Sequence, residues 1–159
     1  MLDIQTFKTV LENTPLVSID LCLVCRGQIL LGKRENEPLK NQWFTPGGRV
    51  FKNEAWRDCL KRVALSELGV LSDEVGEFKL MGVWDHFYDN SVADKKVSTH
   101  YVNLPHYINL KHKPFIQQDE QHHEMSWFDL VDVASQTNKF HKYMNIYGNW
   151  LLKKDLKND

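Results

Sequence analysis

The chain has 159 residues, of which 42% are hydrophobic and 26% charged, and 20 Lys and Arg residues against 21 Asp and Glu residues leave a net charge of −1. This length predicts one domain, residues 1–159, with a buried core that needs no disulfide or metal to hold it. Proteins that bind nucleic acid usually carry a strong basic excess, so the balanced charge excludes binding through bulk charge but permits a small basic pocket.

The first predicted elements are a helix and a β-hairpin. Apolar residues recur at helical spacing before Pro15, and the following residues alternate between aliphatic side chains and a mixed set that includes Asp20. This alternation predicts a strand with Asp20 on the face opposite the aliphatic one. In chain order we predict a helix over residues 3–13, a strand over 17–24, a turn at Arg26 and Gly27, a strand over 28–34 and a loop over 35–42.

A ligand-facing loop and a helix are predicted next. The Pro-Gly-Gly sequence at residues 46–48 permits a tight backbone path and a close approach to a ligand. Asn53 is the predicted N-cap of a helix over residues 55–68, and Gly69 is its predicted end.

The remaining elements complete a mixed fold. We predict strands over residues 78–88 and 97–110, with Pro105 making an edge or a bulge in the second. A short strand around Trp127 follows, and then an amphipathic helix over residues 138–154. Strands, helix, strands and helix in this order predict an α+β fold with a mixed β-sheet and the first long helix packed on it.

Two features of the sequence predict a cytoplasmic protein. Cys22, Cys25 and Cys59 are odd in number and the first two lie along one predicted strand, so we expect buried, reduced thiols. A single Cys-x-x-Cys lacks the second pair that a zinc site needs. The chain also has no run of the ~18 apolar residues that span a membrane and no signal-peptide pattern, so we expect no membrane partner.

The stretch from Gly48 to Val70 carries the pattern that points to chemistry. It resembles the Nudix box, the loop–helix–loop signature Gx5Ex7REUxEExGU, in which U is a bulky apolar residue. Val63 and Ser66 stand where the signature has glutamates, and Ala64 is small for a U position. The matching residues are Gly48, Glu54, Arg62, Glu67, Gly69 and Val70.

The missing glutamates bear on the type of reaction. Residues 63, 66 and 67 have the spacing of one helical face, where a Nudix pyrophosphatase places carboxylates that hold about two or three divalent ions against a diphosphate. Only Glu67 remains there, and one carboxylate helps to hold one Mg²⁺. The box therefore predicts a site that grips a diphosphate without cleaving it at phosphorus. The alternative is an ordinary amphipathic helix with its charges in solvent, which the Pro-Gly-Gly entry and the Gly69 exit argue against.

One subfamily has the same altered box, and nearly the whole chain resembles it. The GDP-mannose mannosyl hydrolases are Nudix proteins with an α/β/α sandwich, and the resemblance implies that fold here. Where the chain departs from them, at residues 103–105, we expect only surface or edge details to change. The segments that carry the resemblance are residues 14–18, 31–34, 43–44, 46–50, 82–84, 86–89, 99–102 and 119–122.

The resemblance implies a metal site and a base. One Mg²⁺ per subunit, or Mn²⁺, would be held by the carbonyl of Gly47, the carboxylate of Glu67 and the amide of Gln121, which are all hard oxygen ligands. His122 would be the general base, since an imidazole with an ordinary pKa of about 6.5 can take a proton from water near neutral pH. The order Glu-Gln-His, and not composition, distinguishes His122 from His123.

Further site residues are also implied by the resemblance. Arg34 and Arg49 would neutralise the leaving diphosphate, and Asp20 would face the sugar. Arg62 is expected to orient Glu54 or the preceding loop. The remaining implied contacts are His86 and Tyr101 beside the sugar or phosphate, and Leu2 and Phe7 on the nucleotide across a homodimer.

The residues alone leave plainer roles open for several of these positions. Arg34 fits a surface ion pair equally well, and Asp20 fits a polar surface position on a strand. His86 and Tyr101 fit sheet packing with a hydrogen-bonded tip, and Phe7 fits a core position because of its helical spacing.

The reaction implied by the resemblance is hydrolysis of GDP-mannose or GDP-glucose to GDP and the free sugar, by C1–O cleavage with inversion. One alternative is a Nudix pyrophosphatase that cleaves P–O, which Val63 and Ser66 argue against. The other is a non-catalytic Nudix domain that binds a nucleotide sugar, which the intact Gln121, His122 and Glu67 argue against.

Overall fold

The computed structural model describes residues 2–70, 72–116, 124–154 and 156 of the chain. Its helices are α1 (Ile4–Asn13), α2 (Trp56–Leu68), α3 (Ser72–Val75), α4 (Leu130–Ser135) and α5 (Lys142–Lys153). Its strands are β1 (Leu16–Cys25), β2 (Gln28–Lys33), β3 (Trp43–Phe44), β4 (Gly47–Arg49), β5 (Lys79–Leu80), β6 (Trp84–Tyr88), β7 (Thr99–Leu110) and β8 (Met125–Asp129).

The strands form one mixed sheet with β1 and β7 at its centre. Its main path runs in the order β3-β2-β1-β7-β5, while β4 also pairs with β1, β6 with β7 and β8 with β2. β1 and β7 are parallel neighbours, from Leu16 opposite Tyr101 to Cys25 opposite Leu110, and the other pairings are antiparallel. Polar side chains on these two strands are therefore flanked by protein on both sides.

Helices cover both faces of the sheet, which confirms the predicted sandwich of helices around a mixed sheet. The aliphatic set of β1 packs against α2, and the alternate set packs against α4 and α5. Ser18 and Asp20 belong to the alternate set and are each 6% exposed. Asp20 thus lies opposite the aliphatic face, as predicted, but both faces of its strand are buried and it is no surface residue.

The entry to α2 differs from the prediction. The N-cap is Ala55, not Asn53, and it makes no side-chain capping hydrogen bond. Asn53 instead has a φ of 65°, the left-handed conformation that asparagine tolerates better than most residues, and turns the chain before the helix. Gly69 ends α2 in the left-handed conformation, as predicted, and its N–H donates to the Leu65 carbonyl at 3.0 Å.

The strand predicted over residues 78–88 is broken into β5 and β6, and the break lies opposite Pro105. Leu80 pairs with His106 and Trp84 with Asn103, so residues 81–83 face only residues 104–105. One extra residue on one strand is a β-bulge, and proline favours such a site because it has no N–H to donate. The bulge predicted at Pro105 therefore lies in the segment opposite it, residues 81–83, and β7 is a central strand rather than an edge strand.

The C-terminal helix is shorter than predicted, and a helix before it was missed. α5 begins at Lys142 with His141 as its N-cap, whose side chain accepts from the Tyr143 N–H. α4 is only six residues long, too short for a periodic apolar pattern to show. All three cysteines are buried and unpaired, as predicted.

Across the part of the chain that the structure describes, no helix has the length and apolar character needed to cross a bilayer.

Candidate functional site

Two adjoining cavities lie where β4 packs beside β1. The first has a volume of about 170 Å³ and the second about 140 Å³. Four residues line both cavities: Arg34, Phe44, Thr45 and Gly47. Among the residues predicted for the site, the first cavity is also lined by Asp20, Arg49, His86 and Tyr101, and the second by Glu67. The structure therefore brings seven of the predicted site residues into one two-part site.

Asp20 is a buried carboxylate in the wall of the first cavity. The Tyr147 hydroxyl donates to its Oδ2 at 2.7 Å, and Asn103 Nδ2 donates to the same oxygen at 3.1 Å. Burial raises the pKa of Asp20 to about 6, while the hydrogen bonds from Tyr147 and Asn103 and the charge of Arg34 act in the opposite direction. Near neutral pH the first cavity therefore carries a negative charge held in place by two donors.

The sequence did not predict that Asn103 belongs to this network. Only surface or edge details were expected at residues 103–105, and that expectation is wrong, since β7 is a central strand and Asn103 is 2% exposed and donates to Ser18 Oγ at 2.8 Å. The physical reason is register: Asn103 pairs with Ser18 across the parallel β1–β7 ladder, so the two side chains share the face that carries Asp20. The amide side chain of Asn103 within a predicted strand was the signal that could have identified this network.

Tyr147 was predicted only as part of the apolar stripe of the C-terminal helix. It is fully buried, and its hydroxyl also lies 2.9 Å from Asn103 Oδ1 and 3.3 Å from His86 Nε2. Periodicity places a tyrosine on a buried face, but it does not say which polar group its hydroxyl meets.

His86 forms another wall of the first cavity. Its ring stacks on that of Tyr143, with centroids 3.9 Å apart and planes 10° from parallel. Burial lowers the pKa of His86 to about 4, and the neighbouring His141 adds to this shift. His86 is therefore neutral near neutral pH and presents one donor and one acceptor nitrogen.

Two arginines border the cavities. Arg34 lies between them, and its Nε donates to the Pro38 carbonyl at 2.7 Å, which fixes the direction of the side chain. The Arg49 guanidinium lies 4.1 Å above the centre of the Phe7 ring and 5.8 Å from that of Phe51. Two cationic side chains therefore line the first cavity together with the Asp20 carboxylate.

An ion pair behind the cavities holds the loop that carries Arg49. Arg62 donates to the two carboxylate oxygens of Glu54 at 2.6 and 2.9 Å, and also to the Arg49 carbonyl at 2.9 Å. Its hydrogen bonds lower the pKa of Glu54 to about 2, while burial acts in the opposite direction. The prediction that Arg62 orients Glu54 and the loop is confirmed.

The three positions predicted to share one helical face have different surroundings. Val63 is 1% exposed and belongs to the core between α2 and the sheet, close against Gly48. Ser66 is exposed, and Glu67 lines the second cavity. Position 63 in this chain is therefore a core position and not part of a carboxylate face.

Oxygen ligands for a hard cation are present at the second cavity. Within residues 2–70, 72–116, 124–154 and 156, no group of three or more His, Cys, Asp or Glu side chains is placed to hold a metal. The Glu67 carboxylate and Gly47 nevertheless line the same cavity, and Mg²⁺ commonly uses one or two carboxylates and takes phosphate oxygens as well. This donor set fits one hard cation.

Four predicted site residues lie elsewhere. Gln121 and His122 are outside the described residues. Leu2 is 50% exposed and Phe7 is buried with Leu11 and Val97, and neither lines the two cavities. Their contact with a nucleotide across a dimer stays a prediction.

Comparisons with known proteins identify relatives in sequence and in fold. Residues 15–147 match the family model described as NUDIX domain. A protein of Haloferax volcanii described as low-salt glycan biosynthesis protein Agl8 is 42% identical over 123 residues, which are 77% of this chain and 76% of that protein.

Solved structures show the same fold at lower identity. A MutT NUDIX hydrolase from Burkholderia pseudomallei has a TM-score of 0.66 and 24% identity, and the match covers 87% of this chain and 98% of that one. The NUDIX domain of Shewanella oneidensis NrtR, complexed with ADP ribose, has a TM-score of 0.63 and 16% identity, with 89% and 90% coverage.

Proposed function

The chain belongs to the NUDIX domain family, and from that premise we propose that it hydrolyses GDP-mannose, or GDP-glucose, to GDP and the free sugar. The bond cut is C1–O of the sugar, with inversion at C1. The observation that carries the proposal is the pairing of an acidic, polar cavity at Asp20 with an adjoining cavity lined by Arg34, Gly47 and Glu67. A sugar fits the first environment, and a metal-bound diphosphate fits the second.

The residues at the second cavity suit the leaving group. Diphosphate departure creates negative charge, and fixed cations aimed at that charge are a large source of rate enhancement. Arg34 is held by Pro38 at the junction of the cavities, where it reaches the diphosphate next to the sugar. A Mg²⁺ or Mn²⁺ held by Gly47, Glu67 and Gln121 would add Lewis-acid neutralisation of the same charge.

The residues at the first cavity suit the sugar, and the proposed general base acts on the attacking water. The ionised Asp20 accepts a sugar hydroxyl and stabilises positive charge that develops on the ring. His122 takes a proton from the water whose oxygen bonds to C1, and the electron pair of the C1–O bond leaves with the phosphate oxygen of GDP.

The relative from Haloferax volcanii supports a role with sugars, because its description concerns glycan biosynthesis. The sequence supports cleavage at carbon over phosphorus, because Val63 and Ser66 stand where the Nudix signature has glutamates. We propose a cytoplasmic homodimer that acts in nucleotide-sugar metabolism and binds neither nucleic acid nor a membrane.

Hydrolysis in ¹⁸O-labelled water tests the proposal. We expect the label in the released sugar and GDP as the only nucleotide product. Label in phosphate, with mannose 1-phosphate formed, would identify a pyrophosphatase instead. Binding of GDP-mannose without turnover would identify a non-catalytic domain.

A second experiment tests the metal site. In Glu67→Gln the carboxylate becomes a neutral amide, so we expect the Mg²⁺ concentration for half-maximal turnover to rise about tenfold or more. Ser66→Gln is the matched control, since Ser66 is exposed on the same helix turn and lies outside both cavity walls. Identical metal titrations of Glu67→Gln and the wild-type protein would remove Glu67 from the site.

A further inference from the structure

Three groups of the first cavity meet at one buried hydroxyl that is not itself part of the cavity wall. The Tyr147 hydroxyl lies within hydrogen-bond distance of Asp20 Oδ2, Asn103 Oδ1 and His86 Nε2, and all three partners line the first cavity. Tyr147 lines neither cavity and is fully buried. It reaches the site from α5, on the side of the sheet away from α2.

The hydroxyl has one proton and can give it to one partner. The carboxylate of Asp20 is the charged and nearest acceptor, and charge-assisted hydrogen bonds are the stronger ones. The hydroxyl oxygen is then an acceptor for the Nε2 proton of His86, 3.3 Å away. This arrangement assigns the proton of the neutral imidazole to Nε2 and leaves Nδ1 with a lone pair.

The same contacts fix the direction of the carboxylate. Tyr147 and Asn103 both donate to Oδ2, and these two contacts hold the carboxylate with Oδ1 on the opposite side. Oδ1 lies directly over Gly47, since a Cβ atom built on Gly47 would collide with it. Gly47 lines both cavities, so Oδ1 stands near their junction.

We propose that Tyr147 is a positioning residue that sets the orientation of Asp20 and His86 and thereby the selectivity of the site for the sugar part of its substrate. The link to a sugar rests on the function proposed above. Tyr147 touches no substrate atom and acts through Asp20 and His86.

Tyr147→Phe removes the hydroxyl and keeps the ring, which packs edge-on against Trp84 at 5.9 Å. We expect the Asp20 carboxylate to turn away from Gly47 in a ligand-free crystal structure of the variant. By calorimetry we expect about a tenfold to hundredfold loss of affinity for GDP-mannose, the size of a hydrogen bond to a charged group, and a change of less than about twofold for GDP.

Tyr107→Phe is the matched control. Tyr107 is a buried tyrosine of β7 that packs edge-on against Trp150 of α5 and lines neither cavity. We expect this variant to bind both ligands within about twofold of the wild-type protein. An equal loss for GDP and GDP-mannose in Tyr147→Phe would overturn the proposal, because it would indicate a general structural effect.

A double variant separates the possible failures. In an Asp20→Asn background the charged acceptor is gone and only the contact with His86 remains, so adding Tyr147→Phe should cost clearly less GDP-mannose affinity than it does in the wild-type protein. A further loss as large as that in the wild-type background would contradict the proposal. If the wild-type protein binds neither GDP nor GDP-mannose, the proposed function fails, and the crystal structure of Tyr147→Phe still decides: an unchanged Asp20 orientation overturns the role of Tyr147.

Discussion

Asp20 shows how a single side chain takes its character from three distant parts of the chain. Its carboxylate is bonded by Tyr147 of α5 and Asn103 of β7, and it lies directly over Gly47 of β4. An isolated aspartate on a strand is most often a surface residue, and here burial raises its pKa to about 6. The surrounding residues, and not the aspartate alone, give this carboxylate its raised pKa and its fixed orientation.

Gly47 allows this close approach, so a side chain there should disturb it. In Gly47→Ala the added Cβ would lie 2.7 Å from the Ile19 carbonyl and would also collide with the Asp20 carboxylate. We expect a loss of about 1–3 kcal/mol in the free energy of unfolding, the usual range for overpacking, together with weakened substrate binding.

Urea denaturation measures the stability change for Gly47→Ala. Gly32→Ala is the stability control, since its Cβ would make ordinary van der Waals contacts, the shortest with the flexible Met125 side chain at 3.4 Å. Equal stability of the two variants would show that Gly47 and the Asp20 carboxylate are farther apart in solution than in the structure.

The Glu54–Arg62 pair gives a pH-dependent prediction. Its hydrogen bonds lower the pKa of Glu54 from 4.5 to about 2, so the folded protein binds that proton less readily than the unfolded chain. The stabilisation is complete above the unfolded value of 4.5 and is lost as the pH falls toward 2. We therefore expect the Tm difference between the wild-type protein and Glu54→Gln to be largest near neutral pH and to shrink across that window. A constant difference would show that Glu54 stabilises the loop without its charge.

At the scale of elements, α2 shows what periodicity predicts and what it leaves out. Its length and its glycine end were predicted because helix formers run to Gly69 without interruption. Its N-cap was misplaced because Asn53 suits both an N-cap and a left-handed turn, and only the backbone distinguishes them. Which residues of α2 face the site depends on how the helix packs on the sheet. The helical spacing of those residues does not reveal this packing.

Val63 provides a test of that packing. Val63→Glu would place a carboxylate in the core between α2 and β1, where a charge has no partner, so we expect a loss of about 3 kcal/mol or more in the free energy of unfolding. Ser66→Glu, on the exposed side, should stay within about 0.5 kcal/mol of the wild-type protein. A stable Val63→Glu variant that binds an additional metal ion would show that position 63 faces the site.

Asn53 offers a second test at this scale. Serine is as good an N-cap as asparagine but is strained in the left-handed conformation that Asn53 adopts. We therefore expect Asn53→Ser to lower the free energy of unfolding by about 1 kcal/mol and Asn53→Gly to leave it unchanged or higher. Equal stability of Asn53→Ser and the wild-type protein would indicate that Asn53, and not Ala55, is the N-cap of α2.

For the molecule as a whole, the sequence was most informative about local order and least informative about partners across the sheet. The order of the longer strands and helices and the loop–helix segment from Gly48 could be predicted, because they depend on neighbouring residues. Asn103 and Tyr147 could not, because their roles follow from the parallel pairing of β1 with β7 and from the docking of α5. Leu2 and Phe7 depend on a second subunit, and their role stays a prediction.

The near-zero net charge also leads to a prediction for the whole molecule. The cations proposed to meet the substrate, Arg34 and Arg49, are few and lie in the walls of a cavity. Salt screens exposed charges more strongly than partly buried ones, so raising the ionic strength to about 0.15 M should raise the KM for GDP-mannose by less than about threefold. A steep, polyelectrolyte-like dependence would point to a broad basic surface instead.

The hydrogen bond between Asp20 and Tyr147 joins residues 127 positions apart. A molecule in which the C-terminal helix has momentarily opened retains its other secondary structure but has lost the donor that orients Asp20. Opening of that helix and loss of the assembled pocket are therefore one event, and a ligand that needs the pocket must suppress it. Amide hydrogens of α5, which lie outside the cavity walls, should accordingly exchange more slowly when substrate is bound.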